Sequence, residues 1–270
     1  MSSYHFNLGD MKKILIVIVL LSCMGAGCKK VKMISYSGVF KLNKQTISSE
    51  GWDTTWMQEQ AKIYTNRYYM YSGLSSDSDV RFGFGTYELE TKKSIAEHNI
   101  FNNKALDSAQ VFVVQMNQTP NELTAIVPEW ARSKSASYKL TENYIKVPST
   151  GTSVLDGAWE LNKLYSVKGN DTTMQRETQF KMFWQGHFMF ILRYPVDPVG
   201  TQYKNGFGYG QFALKNNTLD ETVEMASHQD LVNKNLIIHV KLKTNEYTEE
   251  FNDPKTNLQT IKIYKRIRAN

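Results

Sequence analysis

The sequence is poor in the residues that covalent cross-links and metal centres need. Its two cysteines are Cys23 and Cys28, so the chain after Cys28 has no thiol for a disulfide, a zinc–cysteine site or nucleophilic catalysis. The five histidines show no H-E-x-x-H or other paired spacing, and no G-x-S-x-G elbow is present. We therefore expect no metal, no cofactor and a protein that is not an enzyme.

The chain also lacks a basic block, and it has little proline. Lys and Arg outnumber Asp and Glu by 32 to 26, but these charges are scattered, which argues against nucleic acid as a partner. There are 6 Pro against 15 Tyr and 13 Phe. Large rings pack well on pleated surfaces, so this composition favours β-structure.

No apolar run is long enough to span a bilayer as a helix, and the longest one, 14–21, follows Met11 and two lysines. Small residues then precede Cys28. The segment resembles a bacterial lipoprotein signal over residues 1–28, with Met11 as the true start and Cys28 as the lipidated residue. Cys23 is the alternative lipidation site, and a plain secretory signal is the alternative for the whole segment. A lipid on the cysteine implies a membrane-anchored protein of the cell envelope, facing the periplasm or the surface.

After the signal, the chain repeats itself. "GVFKLNK" at 38–44 matches "GAWELNK" at 157–163, and "KIYTNRYYMY" from Lys62 matches "KMFWQGHFMF" from Lys181, each 119 positions apart. "FGFGTYEL" at 82–89 and "FGYGQFAL" at 207–214 follow in the same order. A period of this length indicates a duplicated domain. The pattern predicts domains over residues 29–147 and 155–270.

Within each copy the apolar residues alternate at period two, which predicts strands. The second copy shows eight of them, and "QG" at Gln185–Gly186 and "KNN" at Lys215–Asn217 suit tight hairpin turns. The prediction is an all-β protein with two tandem eight-stranded antiparallel up-and-down barrels. A two-sheet sandwich is the architectural alternative.

Short motifs in the second copy resemble lipocalins and related calycin barrels. "GAWEL" contains their G-x-W signature, and "GHFMF", "GFGYGQFALKNNTLDE" and "IYKRI" are similar to lipocalin-like domains of Bacteroidetes lipoproteins. The resemblance implies that Trp159 closes the barrel floor and that Arg266 packs across it. In the first copy Phe40 stands at the tryptophan position, and Lys146 takes the place of the arginine.

The repeated glycines in "FGFG" and "FGYGQ" raise the question of a phosphate-binding loop. Such a loop needs glycines in a turn that opens a helix. Here the segment is followed by a hairpin signal and another strand. The spacing therefore favours glycines on one face of a bent barrel strand.

The aromatic residues of the second copy support a ligand-binding hypothesis. Both faces of its second and third predicted strands are largely apolar, so they line a ligand pocket or form a filled core with a domain contact outside. If there is a pocket, the residues predicted to bind ligand are Trp184, Phe188, Phe190, Tyr209 and Glu221, with Arg193 near a mouth. The leading hypothesis is a non-catalytic binding protein for a small apolar or amphipathic ligand.

Two other functions stay open at this point. The first is a structural or interaction module in which outer aromatic faces dock a partner envelope protein. The second is an envelope hydrolase that uses the nearby carboxylates Glu221 and Glu224 at one barrel mouth.

Overall fold

A computed structural model of the chain describes residues 36–56, 58–75, 77–103, 111–133, 136–197, 199–253 and 256–268. The predicted signal segment, with Cys28 and Cys23, lies outside the described residues. The described part forms eighteen β-strands and one short 3-10 helix, Gln229–Leu231. None of its helices has the length and apolar character needed to cross a bilayer.

The first nine strands close into barrel 1. They are β1 (Gly38–Ser49), β2 (Trp52–Trp56), β3 (Glu59–Tyr64), β4 (Tyr68–Leu74), β5 (Val80–Thr91), β6 (Ser94–Asn102), β7 (Val111–Gln118), β8 (Glu122–Ser133) and β9 (Ala136–Val147). Neighbouring strands are antiparallel, and β1 pairs with β9 to close the sheet. The short β2 and β3 share the other side of β1, so together they take one of eight strand positions.

The second nine strands repeat this arrangement as barrel 2. They are β10 (Gly157–Lys168), β11 (Asp171–Gln175), β12 (Thr178–Trp184), β13 (His187–Pro195), β14 (Tyr203–Lys215), β15 (Thr218–Ala226), β16 (Asn235–Lys243), β17 (Glu246–Asp253) and β18 (Leu258–Arg266). Closure is between β10 and β18. The predicted fold class, two closed eight-stranded antiparallel barrels, is confirmed.

The hairpins of barrel 2 use the turn chemistry that the sequence indicates. Gln185 and Gly186 join β12 to β13 with φ of 53° and 82°, and Asn216 and Asn217 join β14 to β15 with φ of 50° and 61°. Two consecutive residues with positive φ are the requirement of a type I′ turn, whose twist matches that of the flanking strands. These turns set the register between neighbouring strands.

The repeated glycines lie inside strands, so the structural interpretation is confirmed. A Cβ on Gly208 in β14 would come within 2.4 Å of the Phe190 ring, and one on Gly83 in β5 within 2.5 Å of the Tyr71 ring. In both barrels the glycine makes room for an aromatic side chain on the preceding, neighbouring strand.

The outer faces of the two barrels pack against each other in one apolar cluster. Phe84 of β5 stacks on Phe180 of β12 with ring centroids 4.7 Å apart. Because strands alternate inward and outward, the residues next to these in sequence face the barrel interiors. The strands that form the contact therefore also build the two interiors.

Candidate functional site

The interior of barrel 1 holds a buried ion pair. Lys62 on β3 faces inward, and its Nζ lies 2.8 Å from Oε1 of Glu97 on β6. The Tyr64 hydroxyl donates a hydrogen bond to the same carboxylate. The ammonium also lies 5.5 Å from the ring centroid of Tyr69 and 5.7 Å from that of Tyr71, where cation–π attraction adds to the ion pair.

A second buried carboxylate, Glu142 on β9, is held by neutral donors. Gln45 and Gln60 donate to its Oε1 at 3.0 and 3.1 Å, and the Tyr144 hydroxyl donates to Oε2 at 2.8 Å. Gln58 in turn donates to the side-chain oxygen of Gln45 at 3.0 Å. No lysine or arginine among the described residues forms an ion pair with Glu142, so its negative charge is solvated by amides and a phenol alone.

This network fixes the direction of each amide. Glu142 only accepts, so the Gln45 amide must turn its NH₂ to the carboxylate and its oxygen to Gln58. Gln58 then donates into the network, and its own oxygen remains as an acceptor. Nearby, the Tyr69 hydroxyl donates to Oδ1 of Asn99 at 2.6 Å, which leaves the Asn99 NH₂ as a donor.

These groups line a cavity of about 390 Å³ inside barrel 1. Its volume lies in the range of small-molecule sites, at the small end. Six carboxamide side chains line it: Gln45, Gln58, Gln60, Asn99, Asn102 and Asn103. Five aromatic side chains do the same: Trp56, Tyr69, Tyr71, Phe112 and Trp130. The cavity lining is therefore amphipathic, because it combines carboxamides with aromatic side chains.

The buried phenols beside the carboxylates stay protonated. Burial raises the pKa of Tyr64 well above its usual value, and the nearby charge of Glu97 raises it further. The same two causes, with Glu142 as the charge, raise the pKa of Tyr144. Both hydroxyls thus act as fixed hydrogen-bond donors to the carboxylates at any physiological pH.

Barrel 2 contains a related but different cluster. Nζ of Lys181, the counterpart of Lys62, lies 2.7 Å from Glu221 and 2.6 Å from Glu249. Glu221 corresponds to Glu97, because each pairs with the equivalent residue of the preceding strand. All three barrel 2 side chains are at most 3% exposed. One ammonium therefore serves two carboxylates in a closed interior.

This crowding changes the protonation of the cluster. Burial raises the pKa of Glu221 from 4.5 to about 7; Lys181 opposes the rise and the neighbouring Glu249 adds to it. Burial lowers the pKa of Lys181, but the two carboxylates more than offset that effect, so the ammonium stays charged.

Three of the six amides that line the cavity of barrel 1 are replaced by aliphatic residues in barrel 2. Strand pairing defines three such counterpart pairs: Gln45 and Leu164, Asn99 and Val223, and Asn102 and Ala226. Aromatic rings pack at the centre of barrel 2; Tyr247 stacks on Tyr264 with centroids 4.7 Å apart. The interior of barrel 2 is thus more apolar than that of barrel 1, although it also keeps a second polar group in which Lys262 donates to Gln179 at 2.7 Å and to Glu177 at 2.9 Å.

The predicted pocket residues fall on two faces. Phe188, Phe190 and Glu221 belong to the interior of barrel 2. Trp184 and Tyr209 belong to the apolar cluster between the barrels.

Arg193 also faces barrel 1. Its guanidinium donates to the carbonyl oxygen of Asn102 at 2.8 Å and lies 5.3 Å from the Phe101 ring centroid. The structure therefore brings three of the six predicted ligand-binding residues together and places the other three at the contact between the barrels.

The predicted floor residues of barrel 2 lie in contact. Cζ of Arg266 is 4.1 Å from the Trp159 ring centroid, and its two terminal nitrogens donate to the carbonyls of Asp156 and Val154, each at 2.6 Å. The indole of Trp159 donates to the Leu155 carbonyl at 2.8 Å.

In barrel 1 the residue at the tryptophan position is Phe40, whose ring packs against other aromatic rings. Phe40 packs edge-on against Tyr64 and Tyr144, with centroids 6.2 and 6.5 Å apart. Lys146 is the cross-strand partner of Phe40 in the β1–β9 pair.

The two carboxylates considered for hydrolysis do not share a site. Glu221 faces the interior of barrel 2, whereas Glu224 points toward barrel 1. Lys41 of barrel 1 lies 2.6 Å from it, and Gln211 on β14 of barrel 2 donates to it at 2.7 Å. Among the described residues, no group of three or more His, Cys, Asp or Glu is placed to hold a metal ion.

Sequence reasoning did not single out Lys62, Glu97, Glu142 or Glu249 as interior residues. One signal was present: a lysine stands at the same place in both copies of a matched, otherwise apolar strand, at Lys62 and Lys181. A charge that recurs within a buried strand indicates a partner inside the barrel. The strand that carries the partner follows only from barrel closure.

Comparison with known proteins adds little. No protein family and no curated protein matches the sequence. One matching solved structure is the crystal structure of a protein of unknown function from the DUF3598 family of Nostoc punctiforme. It shares 10% identity, with 86% of this chain and 96% of that chain covered, at a TM-score of 0.27. At that score the likeness carries no argument, and the fold assignment rests on the strand pairing.

Proposed function

We propose that this protein is a non-catalytic binding protein that holds a small amphipathic molecule inside barrel 1. The observation that carries the proposal is the cavity of about 390 Å³ lined by both amides and aromatic rings. Packed side chains ordinarily fill a barrel of this size, and barrel 2 illustrates this with aromatic and aliphatic side chains packed around its polar groups. A polar, preorganised cavity wall is expected where a ligand must be oriented.

The arrangement of the charges favours binding over catalysis. The Lys62 ammonium is paired with Glu97, and Glu142 accepts hydrogen bonds from three neutral donors. A general acid or base needs a proton that it can exchange with substrate, whereas these groups are held by one another. Their role in the proposal is to keep the amides in place.

We further propose that the protein works at the cell envelope, anchored through a lipid on Cys28, with Cys23 as the alternative. This part rests on the sequence of the N-terminal segment and its resemblance to a lipoprotein signal. Metabolic labelling with a palmitate analogue tests it, because a Cys28→Ala variant should lose the label and a Cys23→Ala variant should keep it.

Two measurements test the binding proposal. Native mass spectrometry of the mature protein, purified from its host without detergent, should show a bound mass that denaturation removes. Addition of the released molecule should change the tryptophan fluorescence, because Trp56 and Trp130 line the cavity. Trp130→Ala should weaken this binding, while Trp52→Ala, on an exposed part of β2, should leave it unchanged. A clean apo mass and no fluorescence response to an extract of the host envelope would contradict the proposal.

A second candidate function, docking of an envelope protein, is favoured by one surface feature. A groove on barrel 1 is lined partly by Val113 and Ile126, and Val113 is 53% exposed. Apolar surface of this kind is a common part of protein interfaces. Val113→Asp should abolish cross-linking to a partner in intact envelopes, and the same variant should bind the cavity ligand normally.

A further inference from the structure

We propose that the molecule held in barrel 1 is a neutral saccharide, roughly one or two sugar rings in size to suit the small cavity. This inference rests on the proposed function, and it names the chemical class of the ligand. Three properties of the cavity lead to it: the mixture of free donors and acceptors, the partners that its buried ions already have, and the aromatic rings.

The free hydrogen-bonding atoms of the cavity include both donors and acceptors. Gln58 presents an acceptor oxygen, because its NH₂ is used by Gln45 and Gln60. Asn99 presents its NH₂, because its oxygen accepts from Tyr69, and Asn103 presents its NH₂, because its oxygen accepts from the Phe82 backbone. A hydroxyl group donates and accepts at the same time, so a polyhydroxylated ligand satisfies both kinds of atom.

The buried charged groups of the cavity already have hydrogen-bond or ion-pair partners within the protein. Lys62 and Glu97 form a contact pair, and three neutral donors solvate Glu142. Among the other lining residues, Asp79 and Arg81 carry opposite charges. Glu142 has no counter-cation, but three neutral donors already hold its carboxylate, so a ligand need not bring a charge to satisfy it. A neutral ligand does not disturb these pairs.

The aromatic rings supply an apolar surface next to the amides. Trp56, Trp130 and Tyr71 are among the lining residues. A sugar ring has one face of C–H groups and a rim of hydroxyls, which matches a ring face bordered by amides. A fatty acid would cover the rings but leave buried amides without partners, which is unfavourable.

Saturation-transfer NMR on the full mature protein tests this class of ligand. The first probe set contains glucose, galactose, mannose, xylose, N-acetylglucosamine, maltose and cellobiose. The second contains palmitate, choline and spermidine. We expect transfer to at least one saccharide and to none of the second set. Calorimetric titration of the positive saccharide then gives its Kd.

Variants of the lining residues test whether the saccharide binds in the cavity. Asn99→Val and Gln58→Leu each remove one free hydrogen-bonding group and should weaken saccharide binding about tenfold. Gln202→Leu removes an exposed amide on barrel 2 and should leave the Kd unchanged. Circular dichroism and a thermal melt check that each variant is folded. If Asn99→Val disturbs the fold, Gln58→Leu at a half-buried position supplies the comparison.

The outcomes separate this inference from the proposed function. Binding of palmitate, choline or spermidine alone, lost in Asn99→Val, would overturn the saccharide class and leave barrel 1 as a binding site. Saccharide binding that both cavity variants leave unchanged would overturn the inference, because the sugar would then bind elsewhere. No transfer to any probe also overturns it, and native mass spectrometry then decides on the proposed function by itself.

Discussion

Barrel 1 and barrel 2 have the same strand order and the same inward lysine, yet their interiors differ in polarity. In barrel 1 the ammonium of Lys62 meets one carboxylate, and six amides line the cavity beside it. In barrel 2 the ammonium of Lys181 meets two carboxylates, and aliphatic residues occupy three of the amide positions. The backbone hydrogen bonds of a closed barrel are made between strands and do not depend on the side chains in its interior. The interior side chains can therefore diverge after duplication while the scaffold is kept.

The largest expected difference between the barrels concerns the two lysines. Lys181→Met should lower the free energy of unfolding by about 3–5 kcal/mol, because it leaves two buried carboxylates without a cation. Lys62→Met should cost less, about 1–3 kcal/mol, because Glu97 keeps a hydroxyl donor and borders a cavity. Urea denaturation of both variants measures the two costs. Equal losses would contradict the view that the clusters have different surroundings.

A reciprocal swap of counterpart residues should be asymmetric. Val223→Asn puts an amide into the core of barrel 2, where unpartnered polar burial costs about 2–4 kcal/mol. Asn99→Val in barrel 1 should cost about 1 kcal/mol, since the lost partner is the Tyr69 hydroxyl at a cavity wall. Thermal melts of the two variants show the asymmetry. A larger loss for Asn99→Val would mean that the cavity is packed as tightly as the core.

The two barrel floors should differ by a smaller amount. Arg266→Ala removes a cation–π contact and two hydrogen bonds to carbonyls, and it should cost about 2 kcal/mol. Lys146→Ala, at the equivalent position of barrel 1, should cost less than about 1 kcal/mol, because its half-buried side chain makes no hydrogen bond or ion pair among the described residues. The urea midpoints of the two variants provide the comparison. An unchanged midpoint for Arg266→Ala would show that the floor contact does not stabilise barrel 2.

The smallest predicted effect is a pH dependence that originates in barrel 2. Burial raises the pKa of Glu221 from 4.5 to about 7, so between these values the folded chain binds a proton that the unfolded chain has released. Stability therefore falls as the pH rises through this window, by about 1 kcal/mol from pH 6 to pH 8. Glu221→Gln cannot titrate and should lose this part of the slope. If the stability of Glu221→Gln changed between the two pH values as much as that of the unmodified protein, the pH dependence would have to come from other groups.

Much of the architecture was determined by the sequence itself. Period-two alternation defines strands wherever one face is buried, and "QG" and "NN" turns demand the positive φ that Gln185, Gly186, Asn216 and Asn217 adopt. The duplication is readable because both copies keep the same buried positions. The in-strand role of the glycines also follows from sequence, since the segment continues as a strand and not as a helix.

The candidate site was decided by the tertiary structure. Alternation says that Lys62 and Ile63 face opposite ways, but it does not say which of them faces the interior. Barrel closure and the packing of one barrel on the other settle that choice. They bring Lys62 to Glu97 across 35 positions of sequence and Gln45 to Glu142 across 97. Side chains that meet only through closure leave no short motif in the chain, so the cavity of barrel 1 is a property of the fold.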